Sequence, residues 1–425
     1  MAMEAYRSNR QMRISVLGLH YAPEVTGNAP YTSGLATGLA KRGHDVQVLT
    51  GYPHYPSWKI DHRYKGWSSR ETLDGVAIRR FRHYVPAAPN SIGRVLLEST
   101  YGARLLAARW GRADVVLCVS PALLSSAIAV ARNRLTPKRP PVGVLVQDLY
   151  SLGIAETKAA GNAASNLATR FESAVLGGAD GISVVHERFK SNAAKRLAIP
   201  EDRISVIRNW MHLQETTEHD RRQTRADRGW KDTDTVVLHA GNMGVKQGLD
   251  NVVAAAKLAD SQTRRNVIFV LMGDGNQRRA LESAAKGVRC LQFIGSLPDE
   301  QFQATLAAAD ILLVNERPGV SEMSVPSKLT SYFSTGIPVL AASSPEGTTA
   351  NELARSGGGI VVKPGDPHQL LDGVSRLASD LTLSRTLGAS GKRYCSQYLS
   401  EEHAIDQYES WLQRLVDQSK QGARR

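Results

Sequence analysis

RISVLGLHYAPEVTGNAPYTSGLATGLAKRGHDVQVLTG, residues 13–51, opens on a short apolar run (ISVLGL), crosses a glycine-containing loop, continues as a helical stretch (TSGLATGLAKRG) and ends in a second apolar run (VQVLT). Strand, crossover helix and strand are the unit from which parallel sheets are built. The alternation continues through VAIRRF (76–81), DVVLCV (114–119) and VGVLVQD (142–148). A second series runs through TVVLHAG (235–241), NVIFVLMGDG (266–275), CLQFIGS (290–296), DILLVN (310–315), PVLAA (338–342) and GGGIVV (357–362). The expected fold class is α/β, with two Rossmann-like domains in tandem, each a parallel sheet covered on both faces.

Between the two series lies NWMHLQETTEHDRRQTRADRGWKDTD (209–234), too polar to add much core, which reads as a surface hinge. The expected division is a first domain over 12–212 and a second over 213–398. The stretch EEHAIDQYESWLQRLVDQ places Ala404, Tyr408, Trp411, Leu412 and Leu415 at helical spacing, predicting a closing amphipathic helix over 399–418.

The chain has 425 residues with 42% apolar and 22% charged content, enough for two cores, because single cores stop growing at about 250–300 residues. Cys118, Cys290 and Cys395 are far apart and odd in number, in neither a disulfide nor a zinc-binding spacing. The first residues carry no apolar signal region, and no apolar run approaches the roughly 20 residues a bilayer span needs. The expected location is cytoplasmic.

The formal charge of +13 calls for an anionic partner. Basic residues gather in the first half, at Lys59, Arg63, Lys65, Arg79, Arg80, Arg82, Arg132, Arg134, Lys138 and Arg139. SIGRVLLESTYGARLLAARWGR (91–112) adds Arg94, Arg104, Arg109 and Arg112 around an apolar side. That pattern fits a helix lying on the inner face of an anionic membrane, or a domain helix with a solvated arginine face. No nucleic-acid module or interleaved aromatic series accompanies the charge, which argues against nucleic acid.

Candidate chemistry sits in the loops after strands. Gly27 and Asn28 precede a helix expected to begin near Tyr31 to Ser33, where a glycine lets backbone N–H groups approach a diphosphate. Lys246 lies between Gly244 and Gly248 in GNMGVKQGLDN, placed to neutralise a departing diphosphate. Gly273 and Gly275 follow the next strand, and the backbone of Ile294 and Gly295 the one after, where a nucleotide base can bond. NERPGVSEMSVPSKLTSYFSTGIPVLAAS (315–343) offers Ser324 and Ser327 to sugar hydroxyls and Lys328 to phosphate. His20 and His54, on loops at the edge of the first sheet, are candidates for sugar or acceptor contact or for purely local hydrogen bonding.

The ordered motifs PSKLxxYxxxGxPVxA, GNMGxKQGL, GDG and FxGxLP, with HYAPExTGxAxY, GHDVQVLTGYPHYP, VQDLY and IRNWM before them, resemble the family 4 retaining glycosyltransferases of the GT-B fold. Within that family the chain looks like the colanic-acid and O-antigen fucosyl and N-acetylfucosaminyl branch, over residues 12 to 415. The resemblance implies two facing domains and transfer of a 6-deoxyhexose or N-acetylhexosamine from a UDP- or GDP-sugar. The implied acceptor is a lipid-linked sugar in cell-surface polysaccharide assembly. It places Gly27 and Asn28 at the donor diphosphate, Lys246 as its lysine partner, and Ile294 and Gly295 at the base. Gln147 and Asp148 fall where many members carry a His-Asp pair lining the reacting sugar.

The chain departs from that pattern at Asn242, where many relatives have an arginine after Gly241, and at Met323 and Ser331, where they carry two glutamates. Glu322, one residue out, is the expected substitute in the sugar site, and Lys328 the electrostatic replacement for the arginine. Lys246, Lys328 and Asp148 are thus the expected catalytic set. No Asp-x-Asp pair stands at a donor-site position, so neither a metal nor a cofactor is expected, the nucleotide-sugar being substrate. Two rivals remain: a non-hydrolysing sugar-nucleotide epimerase of the same architecture, using Glu322, Asp148 and histidines as acid and base, and a basic nucleic-acid-binding protein.

Overall fold

The computed structural model describes residues 11–25, 27–87, 91–136, 139–149, 151, 162–211, 221–262, 266–319 and 328–422. The chain divides into two compact units, Met1–Arg208 with Glu401–Arg425, and Asn209–Ser400.

The first unit holds an eight-stranded sheet. Its strands are β1 (Arg13–Leu17), β2 (Asp45–Gly51), β3 (Ser68–Leu73), β4 (Val76–Phe81), β5 (Val115–Ser120), β6 (Val142–Val146), β7 (Gly181–Val184) and β8 (Ile204–Val206). Their order is β3-β4-β2-β1-β5-β6-β7-β8. All neighbours are parallel except β3, which pairs antiparallel with β4. Three of these strands, β3, β7 and β8, have no counterpart among the apolar runs of the sequence. β3 reads SSRETL and is largely exposed, as an edge strand tolerates. β7 and β8 are only four and three residues long.

The second unit carries β9 (Thr235–Ala240), β10 (Val267–Met272), β11 (Leu291–Ile294), β12 (Ile311–Asn315), β13 (Val339–Ala342) and β14 (Gly359–Val362). They run in the order β11-β10-β9-β12-β13-β14, all parallel. Successive side chains of one strand feed opposite cores. Val237, Phe269, Leu271 and Leu313 pack on one face, while Val236, Leu238, Val270 and Leu312 pack on the other. That two-sided burial is why these strands are unbroken apolar runs in sequence.

Chain order reverses direction between β1 and β5 in the first sheet and between β9 and β12 in the second. Loops leaving the carboxyl ends of strands on either side of such a reversal diverge and leave a crevice.

The C-terminal helix spans Glu401–Gly422 and folds with the first unit, though it follows the second in sequence. Its apolar stripe, Ala404, Tyr408, Trp411, Leu412 and Leu415, is buried. A Cβ on Gly143 of β6 would lie 2.6 Å from Trp411 Cη2, so only glycine lets the helix sit this close to the sheet. Arg42, at the end of the helix Ala29–Lys41, reaches Glu409 at 2.7 Å and Asp406 at 2.5 Å.

Several first-half arginines are committed to structure. Arg80 is buried and paired with Glu71, Arg63 pairs with Asp61, Arg139 with Asp180, and Arg132 stacks over Trp110 at 4.2 Å. The helix Ser91–Ala107 buries Leu97, Tyr101 and Leu105 and leaves Ile92, Val95, Leu96, Leu106 and Arg94 exposed. Its buried stripe is therefore core, and a second apolar stripe beside Arg94 faces outward.

Candidate active site

In the second unit, β9 and β12 flank the reversal of chain order, and most of the candidate donor-side residues leave their carboxyl ends or those of the neighbouring strands. After β9 the chain turns through Gly241 and Asn242 into a single 3-10 turn, Val245–Gln247, that carries Lys246. The turn is pinned from β12. Asn315, buried, donates from Nδ2 to Gln247 O and Gly248 O, each at 2.8 Å, and accepts from Asn251 Nδ2 at 2.9 Å. The Arg317 N–H donates to Lys246 O at 2.8 Å. The Lys246 backbone is thus fixed while its side chain, like that of Arg317, is exposed. Arg317 brings a second cation to this loop.

Gly273 explains why the loop after β10 comes so close. It adopts φ +131, and a Cβ there would stand 2.0 Å from Gly241 O, a backbone atom that cannot swing away. A Cβ on Gly275 would meet Asn242 Oδ1 at 2.6 Å. The two loops interlock through Met243 N–H to Asp274 O (2.8 Å) and Gln277 N–H to Met243 O (3.0 Å). At the end of β11, Ile294 O already accepts from Gly273 N–H at 3.0 Å, and Arg278 Nη1 donates to Gly273 O at 2.7 Å. The backbone of Ile294 is therefore partly spent on holding the strand ends together.

Lys328 opens the helix Lys328–Ser334, and its ammonium reaches back under β9. Lys328 Nζ lies 3.3 Å from His239 Nε2, and a Cβ on Gly241 would be 3.7 Å from Nζ. His239 Nδ1 is 3.2 Å from Leu313 O, a carbonyl that only accepts, so the ring proton belongs on Nδ1 and Nε2 accepts from Lys328. Burial, then the neighbouring ammonium, push the His239 pKa well below its ordinary value, keeping the ring neutral. Burial brings Lys328 down to about 8, opposed by the carboxylate of Glu316. Among the described residues no carboxylate is within ion-pair distance of Lys328, although part of its surface remains accessible. An enclosed cation with a neutral imidazole for a neighbour is a site for an anion.

Tyr332, one turn on, is buried, and its hydroxyl accepts from Ala240 N–H at 2.8 Å, which ties this helix to the end of β9. Ser331 is buried in the same helix. Glu322, Ser324 and Ser327, the expected sugar contacts, lie outside the described residues.

In the first unit, Gly27 takes φ +66 and Asn28 caps the helix Ala29–Lys41 through its carbonyl, which accepts from Thr32 N–H at 3.0 Å; the helix starts two residues before the expected Tyr31. Gln147 and Asp148 follow β6, the first half-buried and the second exposed. The loops after β1 and β2 bring His20 and His54 together, with stacked rings 5.1 Å apart. Both are held by Glu24: His20 Nδ1 is 2.7 Å from Oε2, and the backbone N–H groups of His54 and Tyr55 each donate to Oε1 at 2.8 Å. His54 is buried, whereas His20 keeps some exposure. Burial alone favours the protonated Glu24, but His20 and the two amides reverse this and hold its pKa below the usual value.

His239, Asn315, Arg317 and Glu24 were not among the sequence candidates. For Asn315 and Arg317 the signal is their place at and just past the carboxyl end of the apolar strand β12, facing the crevice; His239, inside β9, and Glu24, in a polar loop, carry no such signal.

Residues 26–210 match the glycosyl transferase 4-like domain family, and residues 234–380 match the glycosyl transferases group 1 family. The chain is 28% identical over 411 residues to a putative colanic acid biosynthesis glycosyl transferase, WcaI, of Escherichia coli strain K12, covering 93% of this chain and 98% of that protein. Its fold is similar to that of sucrose-phosphate synthase from Thermosynechococcus elongatus, with TM-score 0.72 at 17% identity, covering 96% of this chain and 100% of the other. It is also similar to Anabaena HepE in complex with UDP, with TM-score 0.69 at 16% identity, covering 95% and 100%. With both halves matched in order and the two Rossmann-like sheets in place, the chain is a GT-B-fold glycosyltransferase of the family 4/group 1 type.

Proposed function

We propose that the chain transfers a 6-deoxyhexose or N-acetylhexosamine from a UDP- or GDP-sugar to a lipid-linked sugar in cell-surface polysaccharide assembly, with retention of anomeric configuration. The observation that carries the reading is the enclosed Lys328 ammonium, held by His239 beside Gly241 at the β9/β12 reversal. The donor diphosphate takes this position, with Lys246 and Arg317 on the adjoining loop as outer cations. The acceptor hydroxyl attacks the anomeric carbon from the face the diphosphate leaves. The C–O bond to the diphosphate breaks as the new glycosidic bond forms, and a leaving phosphate oxygen takes the acceptor proton. The protein's part is to stabilise the developing phosphate charge, so the step needs neither a strong side-chain base nor an essential metal. The UDP bound by HepE and the assignment of WcaI to colanic acid biosynthesis support the donor and pathway class.

The acceptor's lipid tail requires a membrane surface. Among the described residues no helix is long and apolar enough to cross a bilayer. The exposed stripe Ile92, Val95, Leu96 and Leu106 beside Arg94 suits peripheral docking on an anionic inner leaflet, where each basic residue adds about 1 kcal/mol.

The test is incubation of the purified chain with UDP- and GDP-sugars and a polyprenyl-diphosphate-linked sugar, reading the product linkage by NMR. Expected is a new glycoside with the donor's anomeric configuration. An inverted product, or epimerised donor in the absence of acceptor, overturns the reading.

A further inference from the structure

The first unit contains a cluster that the donor chemistry does not use. Among the described residues, His20, Glu24 and His54 each offer a potential metal-ligand atom within 4.8 Å of the others. The three come from two loops, after β1 and after β2. His83, just past β4, sets its ring 4.8 Å from that of His54.

Hydrogen bonds to the backbone show where two of these rings keep their protons. His54 Nδ1 is 3.0 Å from Tyr52 O, and His83 Nδ1 is 3.2 Å from Phe81 O. A carbonyl cannot donate, so each ring carries its proton on Nδ1 and an unshared pair on Nε2. Both Nε2 atoms are buried and meet no hydrogen-bond donor. His20 Nδ1 faces the Glu24 carboxylate. Metal-binding histidines commonly have their second nitrogen held by a backbone carbonyl in this way, which fixes the tautomer.

We propose that His20, Glu24 and His54 form a binding site for a zinc-class divalent cation in the first unit, with the Nε2 of His83 beside it. Two imidazoles and one carboxylate are a donor set that zinc accepts, with one position left for water or a fourth nitrogen. Tetrahedral zinc separates its ligand atoms by about 3.3 Å, given metal–ligand bonds of about 2.0–2.1 Å. His54 Nδ1, 3.5 Å from Glu24 Oε1, is the nitrogen that faces the carboxylate, so the 4.8 Å cluster closes on a cation once the His54 proton passes to Nε2 or the ring turns to present Nε2. The hydrogen shared between His20 and Glu24 is displaced by the cation, and the His20 proton moves to its other nitrogen or to water. Binding would clamp the loop after β1 to the loop after β2, a role separate from phosphate neutralisation in the second unit.

The test uses the full chain, purified without a polyhistidine tag and stripped with chelator. Cobalt(II) is titrated while its visible ligand-field absorption is followed, and zinc is measured by competition with a chromophoric chelator and by elemental analysis. Expected is one equivalent per chain, weakened in His20→Gln and His54→Gln by more than the roughly 10- to 100-fold that loss of an outer-shell partner costs. Circular dichroism of the stripped variants separates loss of metal from loss of fold, and His20→Gln, altering the more exposed ring, is the safer variant. The proposal is overturned if the stripped wild-type chain gives no cobalt absorption and retains no zinc after dialysis, or if both variants bind as tightly as wild type. Transferase activity lost in chelator and restored by zinc but not magnesium supports this site. Restoration by magnesium points instead to a metal at the donor and contradicts the metal-free donor scheme.

Discussion

The β1/β5 reversal and the β9/β12 reversal are the same device of parallel-sheet topology, furnished with opposite chemistry. At β9/β12 the strand ends present glycines and a lysine, closely packed backbone around an enclosed positive charge. At β1/β5 the loop after β1 presents a carboxylate between imidazoles, a place that attracts cations or hydroxyl donors rather than phosphate. The topology supplies the crevice, and the few side chains at the strand ends decide what enters it. The larger lesson is electrostatic. Lys328 is enclosed with no described carboxylate within ion-pair distance and only the more distant Glu316 acting on it, whereas Glu24 already has three donors.

The comparison breaks first at Lys328. Lys328→Ala should lower kcat/KM by about 10²–10³, the cost of removing one preorganised donor from a water-poor site, with circular dichroism unchanged. His20→Ala, on the other crevice, should leave donor binding within about twofold, since it touches no phosphate-binding group. Equal losses in donor binding for both variants would mean that the two crevices do not differ in phosphate binding.

Gly273→Ala should come next. A methyl group 2.0 Å from Gly241 O forces the β9 and β10 loops apart, and φ +131 adds strain, so stability should fall by about 2–4 kcal/mol. Denaturant unfolding measures this, and an unchanged midpoint would mean that the two loops are not interlocked as described.

The pH dependence gives a two-sided test. Burial lowers Lys328 from 10.5 to about 8, so the folded chain releases this proton before the unfolded chain does. Between pH 8 and 10.5 the unfolded state binds more protons, and stability should rise with pH by this group's contribution. Donor affinity should move oppositely, falling as pH rises through about 8 because the diphosphate needs the ammonium. Lys328→Met should remove both trends together. The smallest effect is expected at Lys246, an exposed cation in high dielectric: Lys246→Ala should cost about tenfold or less in kcat/KM. A loss near 10³ would make Lys246 the principal phosphate partner and reverse its rank with Lys328.

The buried strands were legible in the sequence because a parallel strand covered on both faces must be apolar throughout, as in VVLCV and VIFVLM. β3 was not, because an exposed edge strand needs no apolar pattern, and SSRETL looks like a loop. Lys328 could be read from its motif. Its neighbour His239 could not, since a histidine inside TVVLHAG is indistinguishable from a core residue until Leu313 O and Lys328 Nζ are placed around it. Glu24 escaped for the converse reason: a lone glutamate in a loop looks solvated, and only folding brings His20, His54 and Tyr55 to it. Part of the first-half positive charge could not be apportioned from sequence, because Arg63, Arg80, Arg132 and Arg139 turn out to have internal partners.

Calorimetric titration of UDP and GDP against uridine and guanosine, with wild type and Lys328→Ala, tests the central claim most directly. If the diphosphate sits on the enclosed ammonium, the variant should bind the preferred nucleoside diphosphate about 10- to 100-fold more weakly, in line with the loss of a charged hydrogen bond, and the nucleoside equally well. A variant that binds the diphosphate as tightly as wild type would contradict the account.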